Sequence, residues 1–190
     1  VQAIDQLAGV ALPASAWESL VLPSRVRDYS PVMLDELTAS GEVLWSGGGA
    51  LPGSDGWVSL HLAESAPLTL AEPAGDETTE LQREILASLA GGGAYFFRQL
   101  ATAVKSTDDR ELLGALWELV WAGRLTNDSL APLRVRLGTG RGRQSATRPN
   151  SMRRGRPVFP SRTGPPTVGG RWSSLPVASS DTTRRSHALA

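Results

Sequence analysis

Leu34-Asp35-Glu36-Leu37-Thr38-Ala39-Ser40-Gly41-Glu42-Val43 decides the reading of this chain, because its pattern returns 82 positions later. The second copy is Leu116-Trp117-Glu118-Leu119-Val120-Trp121-Ala122-Gly123-Arg124-Leu125. Both read Leu-x-Glu-Leu-x-x-x-Gly-x-aliphatic. Leu residues three apart share one face of a helix. Gly four positions later suits the left-handed residue that ends a helix. The aliphatic residue two further on then opens a strand.

A helix that turns through Gly into a strand matches the third helix and first wing strand of a winged-helix domain. The flanks agree. Before the first copy, Ser15-Ala-Trp-Glu18 has the form of a capping box, and its short helix is expected to stop before Pro23. Ser30-Pro31 then places a good cap ahead of Pro at the first helical position. After Gly41, residues 42–46 read as a strand and Gly47 to Gly56 as a turn-rich tip. Trp57-Val-Ser-Leu-His-Leu62 returns, with His61 expected to face solvent. The first helix of this unit is expected to be missing or replaced by residues 1–12.

Around the second copy the pattern is fuller. An acidic linker lies near Glu72–Glu77, and Thr79-x-x-Gln82 can cap a helix with Leu81, Ile85, Leu86 and Leu89 in one stripe. A helix over 94–104 follows. Asp108-x-x-Glu111 can cap a third helix, whose core side carries Leu112, Leu113, Leu116, Leu119 and Val120. Residues 125–126 and Leu133-Arg-Val-Arg-Leu137 are the expected wing strands. The fold class expected is therefore α+β: tandem winged-helix modules, a partial one over 1–70 and a second over 71–137, followed by a basic arm over 138–190 that leads toward a further domain.

Charge supports that division. Residues 1–130 carry 7 basic and 18 acidic side chains, whereas residues 131–190 carry 12 Arg and the single acid Asp181. The formal net charge of zero is a cancellation between an acidic body and a basic arm. Gly, Arg, Pro, Ser and Thr dominate from Gly138 to about Gly170, a composition expected to be disordered alone. Of 19 basic residues only Lys105 is Lys. A GC-rich genome produces that bias, and the planar guanidinium also suits phosphate and base stacking.

Several chemistries find no support. There is no Cys, so no disulfide, thiolate nucleophile or Cys-based zinc site exists. His61 and His187 are the only histidines and lie on separate segments, which supports neither a His metal cluster nor a triad. Lys105-Ser106 lacks the preceding glycines of a phosphate-binding loop. Leu34-Asp-Glu-Leu37 has the letters of a helicase Asp-Glu box, but on a helix pattern. Neither cofactor nor metal is therefore expected on this chain. No apolar run approaches the ~20 residues of a membrane span, so a cytoplasmic location is expected. The start at Val1 and an end inside a helix-like stretch suggest a piece of a longer polypeptide.

If nucleic acid is bound, the basic residues should do it. Candidates are Arg25 and Arg27 before the first unit's repeated helix; Arg124, Thr126 and Asn127 at the turn into the second wing; Arg134 and Arg136 beyond it; and Arg153, Arg154 and Arg156 in the arm. The acidic body opposes an autonomous DNA-binding domain, so an interaction or oligomerisation module stays open beside it. Trp121 falls out of phase with the Leu stripe. It either stacks on a base beside Arg124 or buries in a neighbouring domain, and burial is the favoured reading.

Three stretches carry a family resemblance: Leu22-Pro-Ser-Arg-Val-Arg-Asp-Tyr29 through Gly47, Ala115 through Arg134, and Gly170-Arg171-Trp172-Ser-x-Leu-Pro176. Together they resemble the C-terminal region of Lhr-type (large helicase-related) superfamily 2 helicases of actinobacteria. The resemblance implies an accessory segment of an ATP-dependent DNA-unwinding repair protein, with ATP and Mg held by the motor elsewhere in the polypeptide. It also implies single-stranded or branched DNA and the helicase core as partners, and a homo-oligomer as a further one. That region of the family is similar to winged-helix DNA glycosylases with a Gln-x-Gln or Gln-x-Asp motif, yet no Gln of this chain begins one.

Overall fold

The computed structural model describes residues 1–75, 78–139, 169–182, 184 and 186. The chain opens with α1 (Gln2–Asp5) and β1 (Leu12–Pro13), then a helical stretch made of α2 (Ala14–Ala16), a π-helical turn (Trp17–Val21) and α3 (Leu22–Arg25). α4 (Pro31–Ala39), β2 (Val43–Ala50) and β3 (Gly56–Leu62) follow, and the three strands form an antiparallel sheet in the order β1-β3-β2. Residues 1–12 thus supply a short helix and lead into an edge strand, and this unit has the full helix, strand, helix, helix and wing order.

The helix expected to end before Pro23 continues to Arg25. The Leu22 amide reaches the Trp17 carbonyl five residues back, so the hydrogen-bond register has already shifted when Pro23 arrives without an N–H. Ser15 and Glu18 do not form a capping box. Ser15 instead donates from its hydroxyl to Asp55 at 2.6 Å, and Glu18 turns toward Arg134.

Glycines expected in the hairpin tip prove to be strand residues under pressure from a neighbour. β2 runs through Gly47, Gly48 and Gly49, and only 51–55 turn. A Cβ on Gly47 would lie 2.2 Å from the Val120 carbonyl oxygen, and one on Gly56 would lie 2.5 Å from the Trp121 ring. Gly is required there because another element packs onto the backbone.

That element belongs to the second group: α6 (Glu80–Leu89), β4 (Tyr95–Phe96), α7 (Phe97–Ala103), α8 (Asp109–Trp121), β5 (Leu125–Asn127), α9 (Ala131–Leu137) and β6 (Arg171–Ser174), with α5 (Ala66–Thr69) in the connection. Its strands are antiparallel in the order β4-β6-β5, the same arrangement as in the first sheet. Residues 133–137, expected as the return strand, are helical. Pro132 starts that helix, and the strand position is filled by β6, inside the stretch expected to be an arm. The remainder of that expectation, 140–168, lies outside the described residues.

Local signals explain most helix ends. Thr79 and Gln82 form a reciprocal capping box. The Asp108 carboxylate accepts from the Arg110 and Glu111 amides at 2.8 and 3.1 Å; those two bonds, Glu111 first, hold its pKa below the usual range. Gly41 and Gly123 end the two repeated helices at φ +77 and +72. At the second, the Arg124 amide bonds to Leu119 O and the Gly123 amide to Val120 O, both at 2.9 Å, the paired bonds of a Schellman cap.

One continuous core joins the two groups, with Trp17, Trp45 and Trp172 fully buried. The Trp17 indole donates to Val58 O at 2.8 Å, and Trp45 donates across to Asn127 O at 2.9 Å. His61 is buried rather than solvent-facing. Its Nε2 lies 2.8 Å from the Ser46 hydroxyl and its Nδ1 2.8 Å from the Thr69 hydroxyl, which ties β3 to β2 and α5. Burial pushes its pKa down to about 4.

Candidate nucleic-acid interface

In a winged helix the third helix is the element that reads a groove; α4 holds that place, and α8 carries the second copy of its pattern. Neither is built for it. On α4 the exposed positions include Val32 and Met33, at 61% and 41%, and Glu36, with no Lys or Arg on the helix. On α8 Leu112, Ala115, Leu116, Trp117, Leu119, Val120 and Trp121 are all buried, because the helix lies between its own unit and β2. Trp121 buries in the neighbouring unit, at 8% exposure, and does not offer a stacking surface.

The candidate residues divide by their surroundings. Arg25 and Arg27 are exposed at the end of α3 and in the turn before α4; Arg25 is 3.4 Å from the Ser24 hydroxyl. Arg124 is half-buried and donates to the Gly75 carbonyl, pinning the linker. Thr126 and Asn127 were expected at an accessible turn but are buried in β5, at 3% and 2% exposure. Asn127 is a structural hub: its side-chain amide donates to Gly169 O at 3.0 Å, and its oxygen accepts from the Ser129 amide at 3.0 Å.

Arg134 is likewise spent inside the protein. Its Nε and Nη2 donate to the two Glu18 carboxylate oxygens at 2.6 and 2.8 Å, and Nη1 donates to Asp35 at 2.7 Å. Tyr29 donates to the same Glu18 at 2.7 Å, and burial, then the Glu18 carboxylate, raises its phenol pKa. Burial lowers the Arg134 pKa, but the two carboxylates outweigh it and hold the guanidinium above its ordinary value. Asp35, midway along α4, turns outward to α9. No signal local to either residue could have shown this, because the partners are 116 and 99 positions away.

Arg136 differs. It lies over the Trp117 and Trp121 rings, with no carboxylate beside it among the described residues. Arg153, Arg154 and Arg156 lie outside the described residues.

Residues 169–171 are fixed beside β5. Arg171 pairs with Asp128 at 2.7 Å, and its amide donates to the same carboxylate at 2.7 Å. Gly170 has φ +76, and a Cβ there would lie 2.2 Å from the Asn127 side-chain oxygen.

Elsewhere, a cleft of about 520 Å³ lies between the linker, α6 and the residues after β6, bordered by Leu70, Pro73, Leu86, Arg124 and Val177. Lys105, at φ +51, sits in a turn after α7 and forms no phosphate loop. Among the described residues no group of three or more metal-ligating side chains gathers, and no helix is long and apolar enough to cross a membrane.

The chain matches relatives along its whole length. A family model described as "Large helicase-related protein, winged-helix domain" covers residues 1–63, the unit that ends with β3. A Mycolicibacterium smegmatis protein named "Lhr helicase/ probable uracil glycosylase" is 53% identical over 97% of the chain. An Escherichia coli protein named "Lhr helicase/uracil glycosylase" is 45% identical over 100% of it. The chain spans about 13% of the length of each. It is a winged-helix-containing segment similar to part of these helicases, and it belongs to the Lhr (large helicase-related) family.

Proposed function

We propose that this chain is an accessory module, from the C-terminal region of an Lhr-type helicase, that positions DNA for an ATP-dependent motor elsewhere in the same polypeptide. The two units are read as tandem winged helices, the second carrying α9 and the Arg-rich stretch inserted between its wing strands. The observation that carries the reading is the place of that stretch in the sequence: residues 140–168, with seven arginines and no acid, lie between the paired strands β5 and β6, where a wing loop would stand. A wing that grips backbone phosphates does not need a basic third helix, and neither α4 nor α8 offers one. The proposed contacts are Arg25 and Arg27 together with Arg153, Arg154 and Arg156, on single-stranded or branched DNA during repair. In this reading ATP and Mg belong to the motor, and the setting is the nucleoid of the cytoplasm.

A second reading has its own support. Val32 and Met33 are exposed on an α4 face that carries acids and no cation. Such a face suits protein better than DNA and favours an interaction or oligomerisation surface of the same helicase. A part in base excision, as the relatives' names suggest, would draw its catalytic residues from outside this segment.

The test is unwinding by a longer Lhr polypeptide that contains motor and segment. Replacing Arg153, Arg154 and Arg156 with Ser should lower unwinding more than DNA-independent ATP hydrolysis. Equal unwinding by the two proteins would remove the DNA role and leave the interaction surface.

A further inference from the structure

Two arginines on α9 have opposite surroundings. Arg134 is held by two carboxylates, whereas Arg136 has neither a hydrogen bond nor an ion pair among the described residues. Its guanidinium lies 4.9 Å from the Trp117 ring centre and 5.7 Å from that of Trp121. The two indoles are stacked 5.5 Å apart at 30°, and Trp172 braces Trp117 edge-on at 5.9 Å. The platform is rigid, with Trp117 4% and Trp172 0% exposed.

The orientation of the guanidinium matters more than its presence. Nε is sealed from solvent and finds no acceptor, but the two terminal nitrogens are neither bonded nor sealed. The cation thus lies over the two indoles with its Nη atoms open. Burial lowers its pKa, yet a guanidinium stays charged at neutral pH. A charge half-withdrawn from water without a counter-ion is costly unless an anion arrives. Packing alone would be served as well by Met. The planar fork has a use where a planar or tetrahedral oxyanion takes two parallel N–H bonds.

We propose that Arg136, laid on Trp117 and Trp121, is a phosphate-gripping station for a nucleic-acid strand, with one phosphodiester on its open Nη edge. The station rests on the DNA-positioning reading above and adds to it a definite contact atom. Arg136 precedes by four positions the Arg-rich stretch that begins at residue 140, so one strand can engage both.

The test uses the full 190-residue chain with a labelled oligothymidylate over a salt series. Arg136→Met, which keeps the packing, should weaken binding several-fold and lower the slope of log affinity on log salt by about 0.7, one phosphate of a single strand. Arg136→Lys should restore the slope and only part of the affinity. Oligothymidylate should also change the Trp emission of the unsubstituted protein, and oligouridylate should do so equally, since a phosphodiester carries no sugar identity. An unchanged slope and affinity in Arg136→Met would overturn the station while leaving the DNA reading intact; no binding by the unsubstituted chain would overturn both. If Arg136→Met loses its near-ultraviolet circular dichroism, the Arg136 Nε–H nuclear magnetic resonance signal of the unsubstituted protein decides. A shift at saturating oligonucleotide supports the station, and a static signal sinks it. An equal emission change with inorganic phosphate at matched ionic strength would make this a free-anion site and overturn the strand assignment.

Discussion

Arg134 and Glu18 are 116 positions apart in sequence and meet through two hydrogen bonds of 2.6 and 2.8 Å. With Asp35 added at 2.7 Å, a single guanidinium from the second unit joins α4 and the π-helical turn of the first. The two units are therefore locked by charge at one edge and by Trp45, Gly47 and Trp121 through the middle.

Removing that cation should loosen the lock. The Arg134 side chain is 15% exposed and those of Glu18 and Asp35 18% and 34%, so the carboxylates are only partly able to recover water. Arg134→Met is expected to cost about 2–3 kcal/mol, below the range for a fully buried pair. Adding Glu18→Gln and Asp35→Asn should return part of that loss, since the orphaned charges are then gone. Urea unfolding of the single and triple variants measures both; a single variant as stable as the parent would show that the cluster is ornamental.

Two glycines should respond in opposite directions. Gly47→Ala drives a Cβ to within 2.2 Å of the Val120 carbonyl and should destabilise by about 3 kcal/mol, the upper end of overpacking costs. Gly114 lies in exposed helix with nothing within 4 Å of a new Cβ. Gly114→Ala should stabilise by about 0.5–1 kcal/mol. Thermal melts of the pair check the sign of each.

These glycines also show what the sequence makes legible and what it does not. Helix ends written within a few residues are readable: Gly41, Gly123, Thr79 with Gln82, and Asp108 all act as their local pattern says. Gly47 looks like part of a turn because the reason for it, Val120 and Trp121, is over 70 positions away. Leu133-Arg-Val-Arg-Leu137 alternates like a strand, yet Leu133 and Leu137 are also four apart, and over five residues the two periods cannot be separated. Pro132 and the distant β6 decide for helix. The candidate site suffered most from distance. Thr126, Asn127 and Arg134 are polar or basic in the right neighbourhood, but their partners are strands and carboxylates that only folding brings near.

Stability should fall between pH 6.5 and about 4 in a way that depends on His61. Its folded pKa, about 4, lies below the ordinary 6.5, so the unfolded chain binds the proton first. The contribution is complete above pH 6.5, is lost as pH falls through the window and levels off below about 4; it amounts to about 3 kcal/mol. His61→Asn should be less stable at pH 7 because Ser46 and Thr69 lose a fitted partner, and it should show a shallower decline from pH 7 to 4.5. Parallel declines in both proteins would contradict the assignment.

An acidic body that carries a basic grip for DNA backbone should bind it in a salt-dependent way. The most direct measurement is the affinity of the 190-residue chain for an unstructured single strand as salt is raised. The expected result is binding whose log affinity falls linearly with log salt, at roughly 0.7 per phosphate engaged, and a slope shallower by about 2 when Arg153, Arg154 and Arg156 are replaced with Ser. No binding at low salt, or a slope near zero, would contradict it.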